Sequence, residues 1–183
     1  MIGFTGGGGA TYGGGAQPIL MPIVGDWTVP PVYTQSYYDK GKEVAAPGYY
    51  SVYLDSFRTR AELTASRWTS LMRFTFPTTD RAHIVLNLPL QGGEMEIVGD
   101  RMVRGVAARR GDHDAPDGRY FVAEFSHPFS HFGTFRKSAG DNRGYGIGDK
   151  EVVPDARRID GSYAGSYLDF TTRADAPILV RMA

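Results

Sequence analysis

No cysteine occurs among the 183 residues, which removes disulfide staples, thiolate metal sites and cysteine nucleophiles at once while leaving the redox compartment open. Net charge is missing as well, because twenty basic residues are matched by twenty acidic ones. A balanced chain projects no long-range field toward a polyanion or an anionic membrane surface, so nucleic acid and membrane are not favoured as partners. Long apolar runs are also absent. No stretch nears the roughly eighteen residues of a spanning helix, and the opening MIGFTGGGG has neither the basic start nor the apolar centre of a signal peptide. Helix signals are scarce throughout.

What is present points to strands. Twenty-four glycines, eleven prolines and 13% aromatic residues suit an all-β chain, since aromatic and β-branched side chains fit a pleated surface and strands need frequent turns. Tyr49 to Leu54, Arg60 to Ser66 and Ser70 to Phe76 are spaced as three successive strands of a meander. In the third, Met72, Phe74 and Phe76 share one face and Arg73 and Thr75 the other, the period of two that a half-buried strand shows. Pro77 to Asp80 is expected to end it. Ala82 to Leu88 is apolar at nearly every position and is expected to be buried on both sides. Glu94 to Val98 and Met102 to Ala107 flank Gly99-Asp100 as a hairpin. Arg119 to Ser126, Tyr163 to Thr171 and Ile178 to Met182 complete the set. The simplest architecture is one domain over residues 1–183, an antiparallel two-sheet β-sandwich with little helix.

Several local patterns invite a chemical reading and lack its context. The glycine tract Gly6 to Gly15 has no strand before it and no Gly-Lys-[Ser/Thr] after it, so it reads as a loop rather than a phosphate cradle. Asp112, Asp114 and Asp117 miss the spacing of an EF-hand and read as a turn-rich hairpin tip. His127 and His131 stand four apart, but Pro128 lies between them and no helical period brings the rings to one face, so no zinc site is expected. No Ser-His-Asp constellation can be chosen by order alone.

The stretch EVAAPGYYSVYLDSFRTRAELTASRWTSLMRFTFP, Glu43 to Pro77, resembles the amino-terminal β-sandwich domain of glycoside hydrolase family 92, the exo-acting α-mannosidases. That family's pattern runs E-x-A-x-P-G-Y-Y-x-V-x-L-D, then E-L-T-A-[ST], then R-[YF]-T-F-P. The later YFVAEFSHPF at residues 120–129, the GSYAGSYLDF strand and the ILVR strand resemble further family words. So do Gly3-Phe4-Thr5-Gly6 and the run from Pro18 to Gly25. The resemblance implies a galactose-mutarotase-like supersandwich. It also implies a piece truncated at both ends, because family members begin earlier and continue into a helical (α/α)6 catalytic domain.

The resemblance further implies a calcium-dependent, inverting enzyme acting on mannose-containing glycans, generally secreted or periplasmic. Inversion sets an acid and a base roughly 6.5–9.5 Å apart across the sugar. In the family those carboxylates and the calcium ligands lie mainly on the helical domain, so this chain alone is expected to be inactive and to hold no cofactor. Its expected role is to pack on the helical domain and help wall the glycan cleft. A free-standing carbohydrate-binding or structural module is the alternative, and a complete small hydrolase would need Glu43, Glu94 or Glu124 paired in a deep cleft.

Candidate cleft or interdomain residues follow from the same comparison. Thr5 and Gly6 stand where the family has Ser-His, and Lys40 and Met72 stand at two other common histidine positions. Glu43 is kept from the family pattern, on a loop where a solvated carboxylate is the plainer expectation. Trp27 and Trp68 offer broad apolar faces for a pyranose ring, although the same bulk suits a core and core placement is the first expectation.

Overall fold

A computed structural model describes residues 18–26, 36–88, 92–107, 118–137, 150–162 and 164–183. Fourteen strands form two antiparallel sheets among these residues. In chain order they are β1 (Ile19–Val24), β2 (Val44–Ala46), β3 (Tyr49–Leu54), β4 (Thr59–Ala65), β5 (Ser70–Thr75), β6 (Thr79–Asn87) and β7 (Gly93–Val98). Then come β8 (Met102–Ala107), β9 (Arg119–Phe125), β10 (His131–Lys137), β11 (Lys150–Pro154), β12 (Arg158–Asp160), β13 (Ala164–Thr172) and β14 (Ile178–Met182). The larger sheet runs β12-β7-β8-β9-β14-β5-β4-β3-β2 and the smaller β1-β6-β13-β10-β11. The all-β, two-sheet sandwich read from the sequence is the fold observed.

Side-chain alternation decides which face each strand turns inward. On β5 and just beyond it, Met72, Phe74 and Phe76 are buried while Leu71 and Arg73 face out. On β9, Phe121, Ala123 and Phe125 are buried while Tyr120 and Val122 face out. The inward residues of both sheets join one hydrophobic cluster. Phe125 of the larger sheet meets Phe170 of the smaller at 6.0 Å between ring centroids, and Phe129 stands edge-on to both. Edge-to-face rings bring the positive rim of one to the negative face of the next, which adds directionality to the area they bury.

Turns follow residue chemistry. Ala46 and Tyr49 are directly paired, leaving Pro47-Gly48 as a two-residue turn with Gly48 at φ +79°. Proline first and a positive-φ glycine second is what a type II turn requires. The hairpin expected around Gly99-Asp100 is present, with Val98 opposite Met102.

Some boundaries and elements depart from expectation. Pro77 to Asp80 does not lie wholly between strands: Thr79 and Asp80 already belong to β6, because they extend its pairing with β13 beyond the apolar run. β6 is buried on both faces as expected, through Ile84 and Leu86 on one and Val85 and Asn87 on the other. β1 was hidden by Pro22, which survives because β1 is an edge strand and one of its sides needs no ladder donor. β2, β10, β11 and β12 were not anticipated either. Tyr163, the expected start of the strand now seen as β13, is outside the described residues.

Candidate functional site on the outer face of the large sheet

The outward face of the nine-stranded sheet is built from directly opposed cross-strand pairs. Glu62 of β4 faces Arg73 of β5, Glu124 of β9 faces Arg181 of β14, and Glu96 of β7 faces Arg104 of β8 on one side and Arg158 of β12 on the other. Opposite charges placed across strands stabilise a sheet modestly and set its register. Between them lie partly exposed apolar side chains: Val44, Tyr49, Leu71, Leu179, Val122 and Tyr120.

Toward the β2 edge, the Glu62 carboxylate is the best-buried charge, with its side chain 9% exposed. It accepts from Arg73 Nε at 2.6 Å and from the Tyr49 hydroxyl at 2.6 Å. The Arg73 guanidinium holds the Glu62 carboxyl below its ordinary range, working against the burial that would raise it, and Tyr49 adds to the lowering.

At the other edge, Glu96 lies between two guanidinia. Arg104 donates Nε and Nη2 to Oε2 at 3.0 and 2.8 Å, and Arg158 donates the same two nitrogens to Oε1 at 3.0 and 2.7 Å. Hydrogen bonds from Arg104, then Arg158, keep Glu96 ionised below the usual glutamate range. The ladder lines a groove of about 600 Å³ over β12, β7, β8 and β9, which Tyr120, Glu94 and Asp160 also border.

Among the described residues, those singled out in the sequence fall on separate parts of the fold. Thr5, Gly6 and Trp27 lie outside the described residues, as do the glycine tract and the aspartates 112, 114 and 117. Glu43 precedes β2 and accepts a hydrogen bond from Tyr50 at 2.6 Å, so it is tied down rather than merely solvated. Burial, then that bond, pushes the Tyr50 phenol well above its ordinary range. Trp68 is not core: it is 75% exposed at the β4–β5 hairpin tip, with the Arg67 guanidinium 4.8 Å over its ring. The tip closes on its own Ser66 and Thr69, beyond the last β4–β5 pair at Ala65 and Ser70, so the indole stands off the end of the ladder. Met72 is fully buried, so an imidazole at that position would sit in the core, whereas Lys40 is exposed.

Among the described residues, Glu94 and Glu124 are not paired in a deep cleft either. Glu124 is bonded to Arg181. Glu94 stands opposite Asp160, but both are exposed on the open groove and Asp160 lies 3.7 Å from Arg136. His127 bonds Ser126 while His131 is exposed on β10. Among the described residues, no three His, Asp or Glu side chains gather as a metal-ligand set, and no helix is long and apolar enough to cross a membrane. Sequence reasoning missed the Glu62–Arg73 pair and the Glu96 ladder, and on the small sheet it missed a further pair: His83 Nδ1 lies 2.7 Å from Asp169 Oδ1, largely buried on the outer side of that sheet. The two are 86 positions apart, and only the β6–β13 register brings them together.

The sequence model described as the Glycosyl hydrolase family 92 N-terminal domain matches residues 3–183. The chain belongs to that family. Solved structures agree on the fold. The family GH92 inverting mannosidase BT2199 from Bacteroides thetaiotaomicron aligns with TM-score 0.76 at 23% identity, over 92% of this chain and 21% of that one. The family GH92 alpha-mannosidase BT3965 from Bacteroides thetaiotaomicron aligns with TM-score 0.67 at 20% identity, over 91% of this chain and 24% of that one. The gh92 family glycosyl hydrolase ccman5 aligns with TM-score 0.64 at 20% identity, over 93% and 24% respectively. No curated protein matches the chain. This family 92 domain therefore spans 21–24% of the length of these solved relatives.

Proposed function

We propose that this family 92 domain is the non-catalytic β-sandwich of an α-mannosidase, a single domain that packs on a helical catalytic domain and helps wall the cleft for mannose-containing glycans. What carries the reading is the coverage. A family 92 N-terminal domain makes up 21% and 24% of solved proteins named as mannosidases, leaving most of their length to other parts. Calcium and the reacting carboxylates belong, in this reading, to the helical domain, and the whole enzyme is secreted or periplasmic.

The half of the outer face nearer β2 suits the packing role. Val44, Tyr49, Leu71 and Leu179 leave apolar surface open around the Glu62–Arg73 pair, the mixture of apolar area and fixed charge that interfaces within a chain use. The test is association with a helical domain encoded in the same gene, produced separately. Leu71→Asp with Leu179→Asp should weaken association by about tenfold or more, as loss of central apolar contacts does, without lowering the unfolding temperature. No association by the unaltered chain would overturn the packing role.

A further inference from the structure

We propose that the groove over β12, β7, β8 and β9 is a binding site for a neutral carbohydrate, with Tyr120 as its stacking platform and the Arg158–Glu96–Arg104 ladder as its hydrogen-bonding floor. The proposal goes beyond the packing role and needs no second domain, because every residue it uses is in this chain.

Three observations carry it. The first is size. A groove of about 600 Å³ lies within the range of roughly 300–1,000 Å³ common for small-molecule sites. The second is Tyr120, which is 79% exposed although it stands on a regular strand. Its ring is flat, carries little rotamer freedom and presents an apolar face with a polar tip, the combination that suits the C–H face and hydroxyl edge of a sugar ring. Val122, two residues along on the same side of β9, extends the apolar strip.

The third is the state of the charged groups. Each guanidinium is fixed by two hydrogen bonds to Glu96, so little side-chain freedom remains to be lost on binding. A guanidinium has five N–H donors, and Glu96 occupies the Nε and one Nη2 donor of each. The outer N–H groups stay available to hydroxyl oxygens, while Glu94 and Asp160 offer acceptors on the neighbouring row.

Charge selects the ligand class. The groove holds the carboxylates of Glu94, Glu96 and Asp160 against the guanidinia of Arg104 and Arg158, and Arg136 stands 3.7 Å from Asp160, so its charges nearly cancel and a phosphate or sulfate would meet a carboxylate beside every guanidinium. Alternating fixed donors and acceptors instead match hydroxyl groups, which both donate and accept.

The experiment is a titration of the purified 183-residue chain, isotopically labelled, with a neutral α-linked mannobiose and separately with a neutral β-linked glucobiose. Amide resonances of β7, β8 and β9 are followed. Saturable shifts confined to those strands, with Kd on the order of a millimolar as befits an open groove, are expected for at least one disaccharide. Tyr120→Ala should weaken binding by about tenfold, the scale of a lost aromatic contact, and Tyr120→Phe should retain most of it. Because Tyr120 is exposed, neither change should disturb the fold, which the unshifted resonances of β13 and β6 report. Absence of saturable binding by both sugars would overturn the proposal. So would binding that Tyr120→Ala leaves unchanged, or displacement of the sugar by inorganic phosphate. Failure of the helical-domain association test would leave these outcomes untouched.

Discussion

The ring of Phe135 fills the space that a side chain at Gly165 would occupy. The two residues are directly opposed on β10 and β13, and a Cβ at Gly165 would stand 2.9 Å from Phe135 Cε1 and closer still to Cζ and to the Leu86 carbonyl oxygen. Two residues away the relation is reversed: Tyr167 covers Gly133, where a Cβ would lie 2.6 Å from its hydroxyl. Each glycine lets an aromatic ring lie flat across the strand beside it. Gly165→Ala should therefore destabilise the sandwich by about 1–3 kcal/mol, the scale of overpacking. Urea denaturation followed by fluorescence measures it, and an unchanged midpoint would show that the Phe135 ring and the Leu86 backbone both make room.

Acid should weaken the sheet at Glu62. Its folded value is depressed by Arg73, so the unfolded chain binds the proton more readily. The stabilisation is complete above the ordinary glutamate value of 4.5 and is lost as pH falls through the depressed folded value. Glu62→Gln should lower stability near neutral pH and flatten its decline below pH 4.5. Thermal unfolding from neutral to acidic pH checks this, and parallel curves for both proteins would contradict it.

Ser166 presents the opposite case. Its hydroxyl is fully buried on β13 with no hydrogen-bond partner among the described residues, whereas Thr172 on the same strand donates to the Pro77 carbonyl at 2.7 Å. An unsatisfied buried hydroxyl costs roughly 1–3 kcal/mol. Ser166→Ala should be neutral or stabilising by about 1 kcal/mol, while Thr172→Val should destabilise by about as much. Chemical denaturation of the pair decides the matter, and a clear loss for Ser166→Ala would imply a bond to its hydroxyl.

Trp68 and Phe74 should differ sharply despite similar bulk. Trp68→Ala, at an exposed tip, should change stability by no more than about 0.5 kcal/mol. Phe74→Ala, fully buried on β5, should cost about 3–5 kcal/mol. Equal losses would show that the hairpin tip packs on something in solution.

How far the sequence spoke varied with the range of the interaction. β3 to β5 and β7 to β9 were legible because alternation and turn residues are local signals, and β5 announced its inner face through Met72, Phe74 and Phe76. β10 was concealed by Gly133, whose role emerges only beside Tyr167. Trp68 was misjudged because bulk alone does not say whether a residue falls on a strand or at a tip. At the candidate site, the Glu96–Arg104 pair spans eight positions across one hairpin and was readable in principle. Arg158 joins from 62 positions away through an edge strand of three residues, which leaves no periodic trace. The family words were clear for a different reason, since they are order-dependent and most fall on the strands that hold the core.

In the proposed reading, this family 92 domain carries no hydrolytic centre of its own. Release of mannose from an α-mannoside by the purified 183-residue chain, with calcium supplied, tests it most directly. No turnover above the uncatalysed rate is predicted. Sustained multiple turnover that tracks the folded chain through purification would contradict the account.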